Sequence, residues 1–202
     1  MKRITTYLAV ISTIALFKLY SMVRRELANR GYKNVVGDRA EWLVAQCFGL
    51  QAMQRSTKGY DLIDPRQNGA KTHGTGKIEV KARLVSIDDE PVQFSDFRNL
   101  QENLFDWFVG VSLRREDMKV CKAFMIPHHI VLREAYPRRK QEGLVWQFRW
   151  NKRITSLPDV LDITEGLKCI EAKEISESLR SGKRLSHIRL DRDLMRGLLV
   201  RV

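Results

Sequence analysis

Asp61 lies in the segment GYDLID (residues 59–64), and Glu79 and Lys81 lie in KIEVKAR (residues 77–83). Both segments have the composition of short β-strands. Alternate side chains of a strand share a face, so Ile78, Val80 and Ala82 can face a core while Glu79 and Lys81 stand side by side opposite. If the two segments pair as an antiparallel hairpin, Asp61 lies across from the Glu79/Lys81 face. Two hard oxygen ligands of this kind, completed by water, form a site for Mg²⁺ or Mn²⁺. Such a cation polarises a phosphodiester and lowers the pKa of a bound water. Lys81 beside it would hold or deprotonate the attacking water and offset charge in the transition state. Glu41, upstream on a helix, would add a ligand or orient a metal-bound water. Each residue alone has an ordinary explanation. Glu-x-Lys on an exposed strand is a common ion pair, Asp61 suits a turn and Glu41 suits a solvated helix face. The joint order is more specific: a helix with Glu, a strand with Asp, a turn, then an apolar strand with Glu-x-Lys.

The elements that must position these residues follow from periodicity. A first helix is expected to run to about Asn29 and stop at Gly31, a usual C-cap position. A second begins near Asp38, which can cap it. It carries Ala40, Leu43, Val44 and Cys47 at helical spacing and ends at Gly49. GYDLID is a short strand bounded by Gly59 and Pro65, and PRQNGAKTHGTG is turn chemistry leading into KIEVKARLVSI. Beyond the acidic turn Asp88-Asp89-Glu90-Pro91, FSDFRNLQENL is expected to be helical. DWFVGVSL and KVCKAFMIP are expected to be strands joined by the turn RREDM, PHHIVLREAY a helix, and LVWQFRW a strand. This order predicts an α/β fold with a mixed central sheet flanked by helices. Residues 1–31 read as an N-terminal apolar helix, 32–165 as the core and 166–202 as a basic extension, helical or loosely ordered. That extension has seven Lys/Arg against two Asp after Leu179.

Of the 202 residues, 44% are hydrophobic and 30% charged, a globular balance. The 36 Lys and Arg exceed the 24 Asp and Glu, giving a net charge of +12. That excess favours a polyanionic partner, either nucleic acid or an anionic membrane surface. Cys47, Cys121 and Cys169 are widely spaced, with no CxxC and no zinc-type cluster, which argues against a disulfide framework or structural zinc. His128-His129 follows Pro127 and reads as a helix start. The N-terminus has a basic start and an uncharged run from Ile4 to Phe17. Such a run is short for a membrane span of about 20 residues. It suits a signal-peptide core, but no small-x-small cleavage site follows. On a helix, Thr5, Thr6, Ser12 and Thr13 gather opposite Ile4, Leu8, Ile11 and Ala15, with Lys18 falling on the apolar side. The reading is a helix packed on the domain or a partner, with a membrane anchor through residues 4–23 as the alternative.

The segment GDRAEWLVAQCFG…STKGYDLID…KIEVKAR resembles the PD-(D/E)XK nuclease superfamily, which includes type II restriction enzymes and Holliday-junction resolvases. The resemblance covers about residues 36–113, with weaker support to about Thr164. It implies a restriction-endonuclease-like α/β core, Mg²⁺ dependence with Mn²⁺ as a substitute, and hydrolysis of DNA phosphodiesters leaving 5′-phosphate ends. It also implies that Asp61 is the first motif acid, Glu79 the second, Lys81 the motif lysine and Glu41 the helix glutamate. The backbone carbonyl of Val80 would be a further metal ligand. Tyr60 stands where the family's namesake proline is found.

The resemblance gives the surrounding cations a use. Arg55, Lys58 and Arg83 flank the site and would grip phosphates either side of the scissile bond, and the hydroxyls of Ser56 and Thr57 would reach phosphate. Arg138, Arg139 and Lys140, the cluster Arg149, Lys152 and Arg153, and the basic C-terminal tail would extend the footprint. Trp107, Phe108, Trp146 and Phe148 read as packing residues, whereas Trp150 suits either packing or base stacking. The expected function is a metal-dependent DNA endonuclease in restriction, repair, recombination or a mobile element. The alternative is a non-catalytic nucleic-acid-binding module that retains the fold. DNA is the expected partner, a homodimer through the first helix is the way such an enzyme would cut both strands, and the expected compartment is the cytoplasm.

Overall fold

The computed structural model describes residues 13–54, 57–67, 76–86, 91–141 and 143–180. Several expectations lie outside that set: the first twelve residues, Arg55 and Ser56, the middle of the Gly-rich turn, the acidic turn Asp88-Asp89-Glu90, and the tail after residue 180.

In chain order the described elements are α1 (Thr13–Asn29), α2 (Val35–Phe48), β1 (Gln51–Ala52), β2 (Leu62–Ile63), β3 (Lys77–Val85), β4 (Val92–Gln93), β5 (Trp107–Arg114), β6 (Val120–Pro127), α3 (His128–Glu134), β7 (Tyr136–Lys140), β8 (Gly143–Gln147), β9 (Arg149–Trp150), α4 (Lys152–Thr155), β10 (Leu161–Asp162) and α5 (Thr164–Arg180). Residues Val36–Glu174 form one compact unit, and α1 and the last residues of α5 belong to a second. Among the described residues no helix is long and apolar enough to cross a membrane.

α1 ends where its sequence says it should. Gly31 takes φ +92°, the amide of Tyr32 reaches back to the Leu27 carbonyl at 2.9 Å, and that of Gly31 reaches Ala28 at 3.0 Å. This is the Schellman arrangement that only a residue free to adopt φ > 0 closes cheaply. α2 begins at Val35, three residues before the expected cap. Asp38 therefore lies in its first turn, where a carboxylate complements the helix dipole.

The main unit is built on one six-stranded sheet in the order β1-β2-β3-β5-β6-β10. β1, β2 and β3 run antiparallel in sequence, which confirms the expected hairpin, with Leu62 opposite Ile78 and Ile63 opposite Lys77. β3 and β5 are parallel over eight residue pairs, from Ile78↔Trp107 to Val85↔Arg114. β6 and β10 continue antiparallel, so the sheet is mixed.

Its two faces differ in chemistry. One face carries Leu62, Ile78, Val80, Val109 and Val111, covered by Ala40, Leu43 and Val44 of α2 and Leu167 of α5. The other is aromatic, with Phe94, Phe97, Phe105, Phe108, Phe124, Phe148 and Trp150. Trp150 is fully buried and meets Phe94 and Phe124 edge-on at ring-centroid distances of 4.8 and 5.0 Å, so it belongs to the core rather than to a stacking platform. Trp107 is half-buried against the aliphatic cluster. The aromatic face depends on Gly110. A Cβ there would stand 2.7 Å from Cζ3 of Trp150 and 2.9 Å from Cζ of Phe94. Gly110→Ala is therefore expected to lower stability by about 1–3 kcal/mol, read as a shift of the chemical-denaturation midpoint with unchanged slope.

Three sequence expectations are corrected. FSDFRNLQENL is not a helix. Phe94, Phe97 and Leu100 recur at helical spacing, but the backbone of Phe94 and Phe97 pairs outward and only Leu100–Glu102 closes a 3₁₀ turn. The Phe94 amide donates to the Phe148 carbonyl at 3.1 Å, and Phe97 bridges Trp146. Asn99 and Asn103 both take left-handed φ, 58° and 49°. LVWQFRW divides at Phe148 into β8, paired with β7, and β9, paired with β4. The expected helix PHHIVLREAY stops at Glu134, and YPRRK, which carries a proline and three cations, forms the exposed edge strand β7, where Pro137 is tolerated.

The polar segment after residue 165 continues the core as far as Glu174. Leu167 is completely buried, and Glu171 accepts from the Val120 amide at 3.3 and 3.2 Å. Arg39 joins Glu174 at 2.7 Å. Leu167→Ala is expected to cost about 2–5 kcal/mol. An exposed appendage would show no change in the same unfolding measurement.

Candidate active site

β2 pairs with β3 only at Lys77 and Ile78, so β3 runs on with one edge that no strand among the described residues covers. The chain just before β2 lies along that edge. The Asp61 amide donates to the Ile78 carbonyl at 2.9 Å, and Oδ2 of Asp61 accepts from the Val80 amide at 2.8 Å. Because peptide groups of residues two apart in a strand point the same way, the Val80 carbonyl also faces the Asp61 side. Leu62 and Ile78 turn into the aliphatic core, which leaves Asp61 and Glu79 on the opposite side.

Glu79 and Lys81 are side by side, as their spacing requires. Nζ of Lys81 lies 2.7 Å from Oε1 of Glu79, and each side chain is 15% exposed. The ammonium also sits 4.7 Å from the ring centroid of Phe97. A cation over an aromatic face is held by the ring quadrupole, so Phe97 fixes the height of Lys81 above the sheet. The sequence does not reveal this partner, because the spacing of Phe94 and Phe97 reads as helical.

Burial pushes the Asp61 carboxyl up to about 7, and the neighbouring charge of Glu79 adds to the shift. The Val80 N–H opposes it, Glu41 raises it further and Lys81 lowers it. Glu41, half-buried on α2, is therefore within electrostatic reach of Asp61. Of the four residues singled out by their order in sequence, Asp61, Glu79 and Lys81 come together in one place, and Glu41 acts on it at electrostatic range. Two carboxyl groups share that place with one ammonium, and the charge of Glu41 acts on it from α2, which leaves it short of positive charge.

Among the described residues, no group of three or more His, Cys, Asp or Glu side chains could by itself hold a metal ion. The donors on offer to a divalent cation are thus the carboxylates of Asp61 and Glu79 and the Val80 carbonyl, with water for the remainder. That donor set fits Mg²⁺, which uses one or two carboxylates and keeps several waters. Its charge would also relieve the crowding that raises Asp61.

The expected phosphate-gripping residues are distributed unevenly. Arg83 is exposed and falls on the same face of β3 as Glu79 and Lys81. Thr57 is half-buried in a turn, its amide bonded to the Gln54 carbonyl at 2.8 Å. Lys58 is held by Glu102 at 2.8 Å, an exposed pair worth little and easily exchanged for phosphate. Arg138 and Arg139 are exposed on β7, while Lys140 is bonded to Asp96, which also accepts from Gln147 at 3.0 Å. The β7–β8 ribbon is tied to the site through the Phe97–Trp146 bridge, since Phe97 is the residue whose ring lies under Lys81. Arg153 is committed to Glu134 and Arg149 to Gln93. His128 starts α3 as expected, and its Nε2 is 2.9 Å from the Leu100 carbonyl.

No family model matches this chain, and no curated protein matches it in sequence.

Proposed function

We propose that the chain is a metal-dependent DNA endonuclease of the PD-(D/E)XK type that hydrolyses phosphodiester bonds. The observation that supports this reading is the convergence of Asp61, Glu79 and Lys81 at the uncovered edge of β3, within electrostatic reach of Glu41. The mixed sheet agrees with the restriction-endonuclease-like core that the sequence resemblance implies. Mg²⁺, held by Asp61, Glu79 and the Val80 carbonyl, would supply Lewis acidity toward the phosphate and a water of lowered pKa.

The chain's own groups do the rest. Lys81, steadied by Glu79 and Phe97, holds the attacking water and offsets charge developing on the phosphoryl oxygens. Glu41 orients a second water. Arg83 and the arginines of β7 contact phosphates away from the scissile bond and position the strand without reading its sequence. Such a protein would meet DNA in the cytoplasm, and pairing of two copies would allow both strands to be cut.

A panel of supercoiled plasmid, branched and single-stranded DNA, incubated with Mg²⁺, Mn²⁺ or EDTA, tests the reading. Cleavage of at least one substrate with metal and of none with EDTA is the expected result. Binding of DNA without cleavage in any metal would instead identify a non-catalytic module that retains the fold.

A further inference from the structure

α1 shows a feature that the nuclease reading does not use. Leu16, Leu19, Tyr20 and Val23 are all exposed, with Tyr20 at 61%, and Phe17 beside them is 67% exposed. At 100° per residue, Leu16, Leu19, Tyr20 and Val23 form one stripe about a quarter of the circumference wide. Lys18 and Arg25 fall opposite this stripe, seven residues apart, on the side Lys18 shares with Ala15 and with exposed Met22, and Arg24 flanks the stripe. Within α1 these three cations face a single acid, Glu26, which is already bonded to Arg30 at 2.8 Å. The helix therefore exposes an apolar stripe with its cations set away from it, and it is net positive.

We propose that α1 lies flat on an anionic phospholipid surface, its Leu16/Leu19/Tyr20/Val23 stripe in the acyl boundary and its cations among the headgroups. Helices with this division of faces bind at the interface rather than across it. Tyr20 and Phe17 place amphipathic or aromatic rings at the depth where headgroups begin. The charge decides between this surface and a second copy of the chain. Two such helices would bring net-positive partners together. Anionic headgroups, by contrast, complement Lys18, Arg24 and Arg25, each cation near such a surface adding appreciably to binding.

The full chain should be sedimented with vesicles of phosphatidylcholine, alone and mixed with phosphatidylglycerol. Two variants accompany it: Leu16→Ser/Leu19→Ser/Tyr20→Ser/Val23→Ser, which keeps every charge, and Lys18→Gln/Arg25→Gln. All six positions are exposed, so the fold should survive, and circular dichroism checks that it does. Wild type is expected to sediment with the anionic vesicles only. Partitioning should fall on the order of 100-fold in the serine variant and roughly 30-fold in the glutamine variant. Undiminished sedimentation of the serine variant would overturn the proposal, because the basic domain alone would then account for binding. It would equally be overturned by a lack of binding in wild type, or by a wild-type dimer in light scattering that the serine variant loses.

Discussion

Lys81→Ala is expected to lower the rate of DNA cleavage by roughly 10²–10⁴-fold, the usual loss when a positioned proton-transfer group is removed. DNA affinity should change little, because Arg83, Arg138 and Arg139 remain on the surface. The separation of the two effects carries the argument. A lysine that served only as the ion-pair partner of Glu79 would lose stability on truncation and leave the chemistry of the surviving folded protein intact. A lysine that holds the attacking water loses chemistry in protein that still binds. Single-turnover cleavage and a salt-controlled binding titration on the same preparation distinguish the cases. Phe97→Leu provides a graded version. It removes the ring 4.7 Å from the ammonium while keeping the core filled, and should slow cleavage by less than Lys81→Ala does.

The second large effect is on stability and has a definite pH dependence. The folded-state pKa of Asp61, about 7, lies above its ordinary 3.8, so the folded state holds this proton more tightly than the unfolded chain. Asp61 therefore costs nothing below about pH 4. Its cost grows between pH 4 and 7 and is complete above 7, the reverse of a salt-bridged aspartate. In EDTA at pH 8, Asp61→Asn is expected to be more stable than wild type by on the order of 2–4 kcal/mol. The asparagine oxygen can still accept from the Val80 amide, and the gain should vanish as pH falls toward 4. Mg²⁺ should then raise the midpoint of wild type at pH 8 and leave that of Asp61→Asn in place, because the cation supplies the charge the cluster lacks. Thermal unfolding of both proteins across pH, with and without Mg²⁺, measures all of this together.

The site was more legible in the sequence than the scaffold around it. Glu79 and Lys81 had to share a face once KIEVKAR was a strand, because period two leaves no alternative. Asp61 had to approach them once the Gly-rich turn closed a hairpin. The crossover from β3 to β5 was not legible. Phe94, Phe97 and Leu100 have helical spacing, and only pairing with Phe148 and Trp146, some fifty residues away, decides that Phe94 and Phe97 are extended. The same blindness to long-range pairing hid β7, whose proline and cations favour no strand until β8 lies beside it. It also hid the role of α5, where buried Leu167 and Glu171 stand in an otherwise polar segment. The one contact that tunes the site, Phe97 beneath Lys81, belongs to this long-range class, which is why it was missed while the four motif residues were not.

The most direct test of the account is the conversion of supercoiled plasmid by wild type and Asp61→Asn in Mg²⁺ and in EDTA. Cleavage by wild type in Mg²⁺ alone, with none by the better-folded Asp61→Asn protein, is the predicted result. A wild type that leaves plasmid intact in Mg²⁺, or an Asp61→Asn protein that cuts as fast as wild type, would contradict a metal-dependent nuclease site at the edge of β3.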